Sequence, residues 1–523
     1  MHDAIVIGAG HNGLVCACYL AKAGRKVLVL ERREVVGGAV CTEEILPGYR
    51  FDVGSSAHIM FKATPIMDEL RLAEFGLRYV EMDPWAYWVH PDTGKSITFH
   101  RDIGQTCQSI ARVCERDAVA YERFVRHWLE LNEGVFETFL KPPTPGRLGW
   151  TMMRRALGSS SGRDLWKSQD TVRQLLMPYG QLIDELFSSQ ELRAALSWLA
   201  AQSGPAPTEL ASGNLLGWNA MLHKIGAWRA IGGSGMLTRA LADCLRSMGG
   251  EIRTSQEVRR ISRDGRRLVV ETAASRDETD HVVAACHVQT ALLDLLDPAL
   301  AGPTLRRRTA GLRTGNGFGM VVRHAVEELP RYPGIEVDHR GAAPCHSSLQ
   351  LLCPDAGYLN RAWQWFQRGR TPPNPAVVAM TFSAIDTTLA PPGKHVLFAW
   401  AQYHPYELAL KGGARAWKRL AEREADRIWE VVCRHAPNMR GKMIGRYIQT
   451  PLDLEEKLGL PRGNVMHLDM SIDQMFCMRP LPELSGYRTP VAGLWLTGAS
   501  THPGGGVFGA SGRNTAHEIL RCS

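Results

Sequence analysis

Residues able to do chemistry gather at the two ends of this chain. Near its start stands Gly8-Ala9-Gly10-His11-Asn12-Gly13, and Glu31 follows the next apolar run. Gly8 permits a tight turn, Gly10 lets backbone approach a pyrophosphate, and Gly13 lets a helix pack close to a strand. A helix starting there offers free N–H groups and its positive dipole end to phosphate oxygens. Glu31, with Arg32 beside it, is placed to hold ribose hydroxyls. The spacing predicts a dinucleotide site. Gly37-Gly38 and Phe51-Asp52-Val53-Gly54 continue the pattern downstream. At the far end, Gly498-Ala499 opens a second glycine run that continues through Gly506-Val507 and Gly509.

Three other side chains could take part in a reaction. His58, just after Gly54-Ser55-Ser56, and His502, beside the C-terminal glycine run, are candidate proton acceptors. Arg479, in Met478-Arg479-Pro480, is a candidate anchor for a polar substrate end or for the cofactor. Each has a plain reading beside the chemical one: a satisfied core histidine, or an arginine in a surface turn. No Ser/His/Asp or paired-carboxylate arrangement follows from spacing. No Cys/His quartet has zinc spacing, so no metal site is expected.

The elements that must position these residues can be read from the apolar pattern. Ala4 to Ile7 reads as a buried parallel strand, Leu14 to Ala23 as a helix and Lys26 to Leu30 as the next strand, one βαβ unit. The stretch from Arg101 to Met221 is rich in helix formers, broken by loops at Lys141 to Gly146 and Leu157 to Arg163. Gly232-Gly233-Ser234-Gly235 leads into a helix from Met236 to Met248, stopped by Gly249-Gly250. Strands are then expected at Glu251–Thr254, Glu257–Ser262, Arg267–Thr272 and His281–Ala285. Further on, Val396 to Gln402 reads as a strand, Arg415 to His435 as a helix, and Gly493 to Thr497 as the last strand before a helix from near Ala510.

These motifs, taken in order, resemble the FAD-dependent carotenoid desaturases of the flavin amine oxidase superfamily. The resemblance rests on the Gly8–Gly13 motif, Glu31 followed by Gly37-Gly38, Gly232-Gly233-Ser234-Gly235-Met236 with the strand around Val258, and the run from Leu494 to Gly512. Gly463-Asn464-Val465-Met466-His467-Leu468-Asp469-Met470-Ser471 and Arg479-Pro480-Leu481-Pro482 narrow it. They are similar to the branch holding the O-type carotenoid ketolases and the animal "pyridine nucleotide-disulfide oxidoreductase domain-containing protein 2". The resemblance implies an α/β fold: a discontinuous Rossmann-like FAD-binding domain from 1–75, 225–300 and 445–523. An inserted α+β substrate domain with a helical lid would then comprise 76–224 and 301–444. It implies that Gly8, Gly10, Gly13, Glu31, Arg32, Gly37, Gly38 and Val258 hold the phosphate and adenosine half of FAD. Gly498, Ala499, Gly506, Val507 and Gly509 would hold the flavin half, with N–H groups at a helix start facing the pyrimidine carbonyls. No second GxGxxG precedes a helix and no CxxxxC pair exists, so one dinucleotide and no disulfide chemistry are expected.

The implied reaction is hydride transfer from a largely apolar, carotenoid- or isoprenoid-like molecule to flavin N5, with electrons passing to oxygen or a quinone-type acceptor. Aromatic clusters at Trp85-Ala86-Tyr87-Trp88, Trp363 to Phe366, and Phe398-Ala399-Trp400 with Tyr403 and Tyr406 either line an apolar tunnel or pack a core. Alternatives are an amine, amino-acid or natural-product tailoring oxidase, a reduced-flavin isomerase, and a flavin-binding scaffold without turnover. A net charge of +8 over 523 residues, with only short and broken basic runs, argues against nucleic acid. Twelve scattered cysteines read as reduced thiols. Neither a signal peptide nor an unbroken apolar stretch of about 18 residues is visible. The expectation is a cytoplasmic protein with at most a peripheral membrane contact.

Overall fold

The computed structural model describes residues 1–144, 146 and 165–522; the expected loop from Leu157 to Arg163 lies outside them. The molecule is organised around two sheets. The first is five-stranded and wholly parallel, in the spatial order Leu494–Leu496, His281–Ala284, Ala4–Ile7 (β1), Val27–Leu30 (β2), Glu251–Arg253. All residues of β1 and β2 are buried, as expected of strands covered on both faces. Register aligns Ile7 with Leu30 and Ala284, and Ala284 with Leu496. The chain therefore leaves three neighbouring strands at one edge, through Gly8, Ala285 and Thr497. Open parallel sheets bind their ligands at this carboxyl edge.

Helix His11–Lys22 (α1) follows β1 directly and is buried on nearly every side. It is held between helix Gly235–Ser247 and the terminal helix Ala510–Cys522. The latter contact is tight: a Cβ at Gly512 would lie 2.1 Å from the Asn12 carbonyl oxygen. Only glycine lets the two backbones approach so closely. The core on this side gains from Leu14, Val15, Leu20, Leu237 and Leu241, each worth about 1.5–3 kcal/mol when fully buried.

The second sheet has seven strands and is antiparallel, except where Leu349–Leu352 runs parallel to Ala86–Val89. Its order is Met443–Gln449, Gly319–Val326, His395–Gln402, Val377–Met380, Leu349–Leu352, Ala86–Val89, Ser96–Phe99. Met443–Gln449 forms one edge, so the expected start of a cofactor segment at 445 falls inside a strand of the other sheet. Trp85, Tyr87 and Trp88 are buried in or beside this sheet; Trp88 Nε1 donates to the Cys353 carbonyl at 2.7 Å. For these three, packing is the right reading.

A three-stranded antiparallel sheet flanks the first, from Arg260–Asp264, Arg267–Glu271 and Arg276–Thr279. Here the expected strand Glu257–Ser262 is displaced. A two-residue hairpin turn, with Gly265 at φ +57°, pairs Asp264 with Arg267 and sets the register. Val258 is left ahead of the strand. The helical stretch resolves into Ile103–Ala111, Glu115–Phe139, Leu165–Leu176, Tyr179–Leu186, Gln190–Ala201 and the short Gly213–Gly217 among the described residues, ending in a 3₁₀ turn at Trp218–Met221. Helix Trp417–His435 starts later than expected, after a short 3₁₀ turn at Gly413–Ala416.

Candidate functional site

A cleft opens at the carboxyl edge of the parallel sheet. Gly8, Gly10, Gly13, Glu31, Arg32, Gly38, Val258, Gly498 and Ala499 all line it, bringing both ends of the chain together. Gly8 sits at φ +103°, a conformation that favours glycine. A Cβ on Gly13 would lie 2.3 Å from the Gly8 carbonyl oxygen, so glycine is required there for packing. Gly10 differs: its Cβ would meet no atom of the described residues within 4 Å. That open space lies in front of the N-terminus of α1, where unpaired N–H groups collect.

Glu31 is buried at the floor of the cleft. The Ala9 N–H donates to its Oε2 at 2.8 Å and the Arg33 N–H to its Oε1 at 2.9 Å. These bonds orient the carboxylate and leave lone pairs for further donors. Gly37 is not on the cleft surface. Its N–H donates to the Ala9 carbonyl at 2.9 Å, bracing the first glycine turn from behind. Gly506, Val507 and Gly509 also stand back from the cleft, in the turn that leads to the terminal helix. Gly509, at φ +73°, fits against Ile66, Phe61 and Val15.

The three candidate reactive residues take different places. His58 is fully buried; its Nδ1 bonds the Tyr79 hydroxyl and its Nε2 bonds Ser234 Oγ, each at 2.8 Å. Burial, with Arg229 and His11 adding to it, pushes its pKa down to about 3. With both nitrogens engaged it ties two segments together. Arg479 is equally buried. Its Nε and Nη2 donate to the Ala499 carbonyl at 3.0 and 2.7 Å, Nη2 also to Met466 at 2.7 Å, and Nη1 to Gln474 at 3.0 Å. The guanidinium is a clamp that gathers backbone carbonyls under the Gly498-Ala499 loop. Burial lowers its pKa to about 10, so it stays charged at neutral pH.

His502 differs from the other two. Its Nε2 bonds the Thr138 carbonyl at 3.2 Å, which places the proton on Nε2, while Nδ1 has no partner among the described residues. Burial pushes its pKa down to about 4. It stands among apolar rings: Phe139 lies 5.7 Å away by centroids, and Phe139 in turn meets Phe508 at 5.4 Å and Trp218 at 5.5 Å. Met60 and Phe476 complete this wall beside the glycine run. Asn514 Nδ2 fastens it by donating to the Phe139 carbonyl at 2.9 Å.

Asp52, from the Phe51-Asp52-Val53-Gly54 motif, is the hub of a buried network. Its Oδ2 pairs with Arg229 at 2.6 Å, and its Oδ1 accepts from Thr42 Oγ1 at 2.7 Å and from the Ser234 N–H at 2.8 Å. Gly232-Gly233-Ser234-Gly235 packs against the same point, since a Cβ on Gly235 would lie 2.6 Å from the Thr42 nitrogen. Two distant glycine motifs are thus joined through one carboxylate.

Sequence reasoning missed three histidines on the cleft: His11, His287 and His467. His11 stands within the first motif and His467 within the run from Gly463 to Ser471, yet neither position marks itself out by type or spacing. His287 lies three residues past the end of the strand His281–Ala284, and that position was the available signal. Among the described residues no group of three metal-binding side chains forms, no helix is long and apolar enough to cross a membrane, and all twelve cysteines are free thiols.

Residues 13–323 match the family model of flavin containing amine oxidoreductase. The chain belongs to this family. It is 32% identical to "Pyridine nucleotide-disulfide oxidoreductase domain-containing protein 2" of Mus musculus, over 99% of this chain and 93% of that one. It is 30% identical to a limonene dehydrogenase polypeptide of Castellaniella defragrans, covering 99% and 94%. It is 27% identical to "Phytoene dehydrogenase" of Streptomyces griseus, covering 96% and 92%. The fold matches a putrescine oxidase triple mutant with a TM-score of 0.62 at 16% identity, covering 100% and 99%. As a flavin containing amine oxidoreductase of the phytoene-desaturase-like kind, the protein is an FAD-dependent oxidoreductase with a Rossmann-like α/β fold. The cleft fits such a group: free space before Gly10, a helix N-terminus for phosphate, and an oriented buried carboxylate at the ribose end.

Proposed function

We propose that this flavoenzyme dehydrogenates a largely apolar, isoprenoid-like small molecule, with electrons passing on to oxygen or a quinone-type acceptor. The observation that carries the reading is the packed apolar cluster of Phe139, Trp218, Phe508, Met60 and Phe476 beside the C-terminal glycine run. These rings and the Met60 thioether give this region an apolar character suited to hydrocarbon, and the histidine packed among them, His502, is neutral. Two of the similar proteins are named for limonene and phytoene, both isoprenoid hydrocarbons.

In this account Gly8, Gly10 and the start of α1 hold the pyrophosphate, while Glu31, Arg32 and Val258 hold the adenosine. Gly498 and Ala499, clamped from below by Arg479, hold the flavin half. Bound FAD supplies the hydride acceptor. A carbon–carbon dehydrogenation removes one hydride and one proton from adjacent carbons, so a proton acceptor is also needed. His502 Nδ1 keeps a free lone pair at the apolar wall and takes that role. The Thr138 carbonyl holds its ring in the tautomer that leaves Nδ1 unprotonated.

The test is mass analysis of products after incubating FAD-loaded protein with isoprenoid hydrocarbons. The expected product has lost two hydrogens, and His502→Gln should slow its formation about 10²-fold or more, the usual worth of general base catalysis. An oxygen-bearing product, or turnover of primary amines alone, would overturn the reading.

A further inference from the structure

The three histidines missed in the sequence converge on the carboxyl edge of the parallel sheet. His287 leaves one central strand and Ser500 leaves its neighbour, while His467 comes from a remote segment and bonds to both. The His287 Nε2–H donates to the His467 carbonyl at 3.0 Å, and His467 Nδ1 bonds Ser500 Oγ at 3.0 Å. Ser500 Oγ accepts from the Val288 N–H at 3.1 Å, so its own proton is free for His467 Nδ1. That arrangement leaves the His467 proton on Nε2. Nε2 has no protein partner among the described residues, and His467 lines the cleft with His11, the first residue of α1. The His467 backbone is held at φ +64°, and Arg479 grips the carbonyl of Met466 next to it. Such a conformation is uncommon for a non-glycine residue and persists only where its surroundings impose it.

We infer that His467 is a cofactor-binding residue: a neutral imidazole, fixed by Ser500, whose Nε2–H donates to the pyrophosphate of FAD opposite the α1 N-terminus. The inference rests on the placement of FAD in this cleft. Burial holds the His467 imidazole well below its ordinary pKa, with His287, Arg479 and His11 nearby adding to the effect. The ring therefore acts as a hydrogen-bond donor and not as a cation. A fixed donor suits a dianion that α1 already meets with backbone N–H groups.

The experiment uses the full chain freed of flavin and titrated with FAD, ADP or adenosine, reading flavin fluorescence or calorimetric heat. His467→Leu should weaken FAD and ADP binding by roughly 10–100-fold, the worth of a hydrogen bond to a charged group. Adenosine binding should stay within about 3-fold of the parent, because adenosine carries no phosphate. His467→Gln, whose amide carries an N–H donor, should recover most of the loss, and Ser500→Ala should show part of it. The result is read with melting temperature alongside, since a merely structural role would weaken all three ligands equally and would not be rescued by glutamine. Equal losses for adenosine and ADP, or an unchanged ADP affinity in His467→Leu, would overturn the assignment. If the parent chain binds ADP but not FAD, the cofactor reading falls first.

Discussion

Gly10→Ala separates binding from folding at the first glycine turn. Gly10 has φ −68°, which alanine adopts freely, and its Cβ would meet no atom of the described residues within 4 Å. The flavin-free variant should therefore fold as well as the parent, or gain about 0.4–1 kcal/mol from the stiffer unfolded chain. The added methyl instead occupies the space where a phosphate must come into hydrogen-bond range of the α1 N–H groups. Losing two such charge-assisted bonds, at about 1.5–3 kcal/mol each, costs about 3–6 kcal/mol. That corresponds to roughly 10²–10⁴-fold in the FAD dissociation constant. Gly13→Ala is the matched control, because its Cβ would lie 2.3 Å from the Gly8 carbonyl oxygen and 2.9 Å from Ala285 Cβ. It should lower the melting temperature of the flavin-free protein as well as weaken FAD. Fluorescence titration with FAD and thermal unfolding without it, run on both variants, check the pair. A Gly10→Ala protein that melts normally and binds FAD as tightly as the parent would refute the placement of the pyrophosphate.

Other consequences follow from the buried charges. Arg479→Met leaves the Ala499, Met466 and Gln474 carbonyls without their shared donor, so the chain should lose about 3–5 kcal/mol in denaturant unfolding, and the loop at Gly498 should become open to protease. Asp52→Ala strands Arg229 in the interior and should also cost about 3–5 kcal/mol, measured the same way. His58, His287 and His502 have folded pKa values lowered to about 3, 4 and 4, below the unfolded value. Their contribution is fully present above about pH 6.5 and is lost as pH falls towards 4, because the unfolded chain binds protons that the fold refuses. Each group steepens the loss by up to about 1.4 kcal/mol per pH unit, and His58→Gln should remove one group's share of that slope in pH-dependent unfolding.

What was legible in the sequence was what local chemistry dictates. β1 is found at Ala4–Ile7 as expected, because an unbroken apolar run ending in glycine has few other uses. The two glycine clusters were readable for the same reason, and Gly8, Gly10, Gly13 and Gly498 meet in one cleft. The seven-stranded sheet was less legible. Its order depends on pairings such as Leu349–Leu352 with Ala86–Val89, made across some 260 residues that carry no local trace of it. The roles of His58, Arg479 and His502 were illegible for a related reason. A histidine is a tie or a base according to its partners, and Tyr79, Ser234 and Thr138 come from remote segments. His467 went unnoticed because its significance lies in Ser500 and His287, neither of which is near it in sequence.

The central claim is that FAD held in this cleft dehydrogenates a hydrocarbon. The most direct measurement is anaerobic mixing of FAD-loaded protein with an isoprenoid hydrocarbon, following the absorbance of oxidised flavin. The account predicts bleaching of that absorbance with one dehydrogenated product formed per flavin. Persistence of the oxidised spectrum with every isoprenoid tried, alongside prompt bleaching by a primary amine, would contradict it.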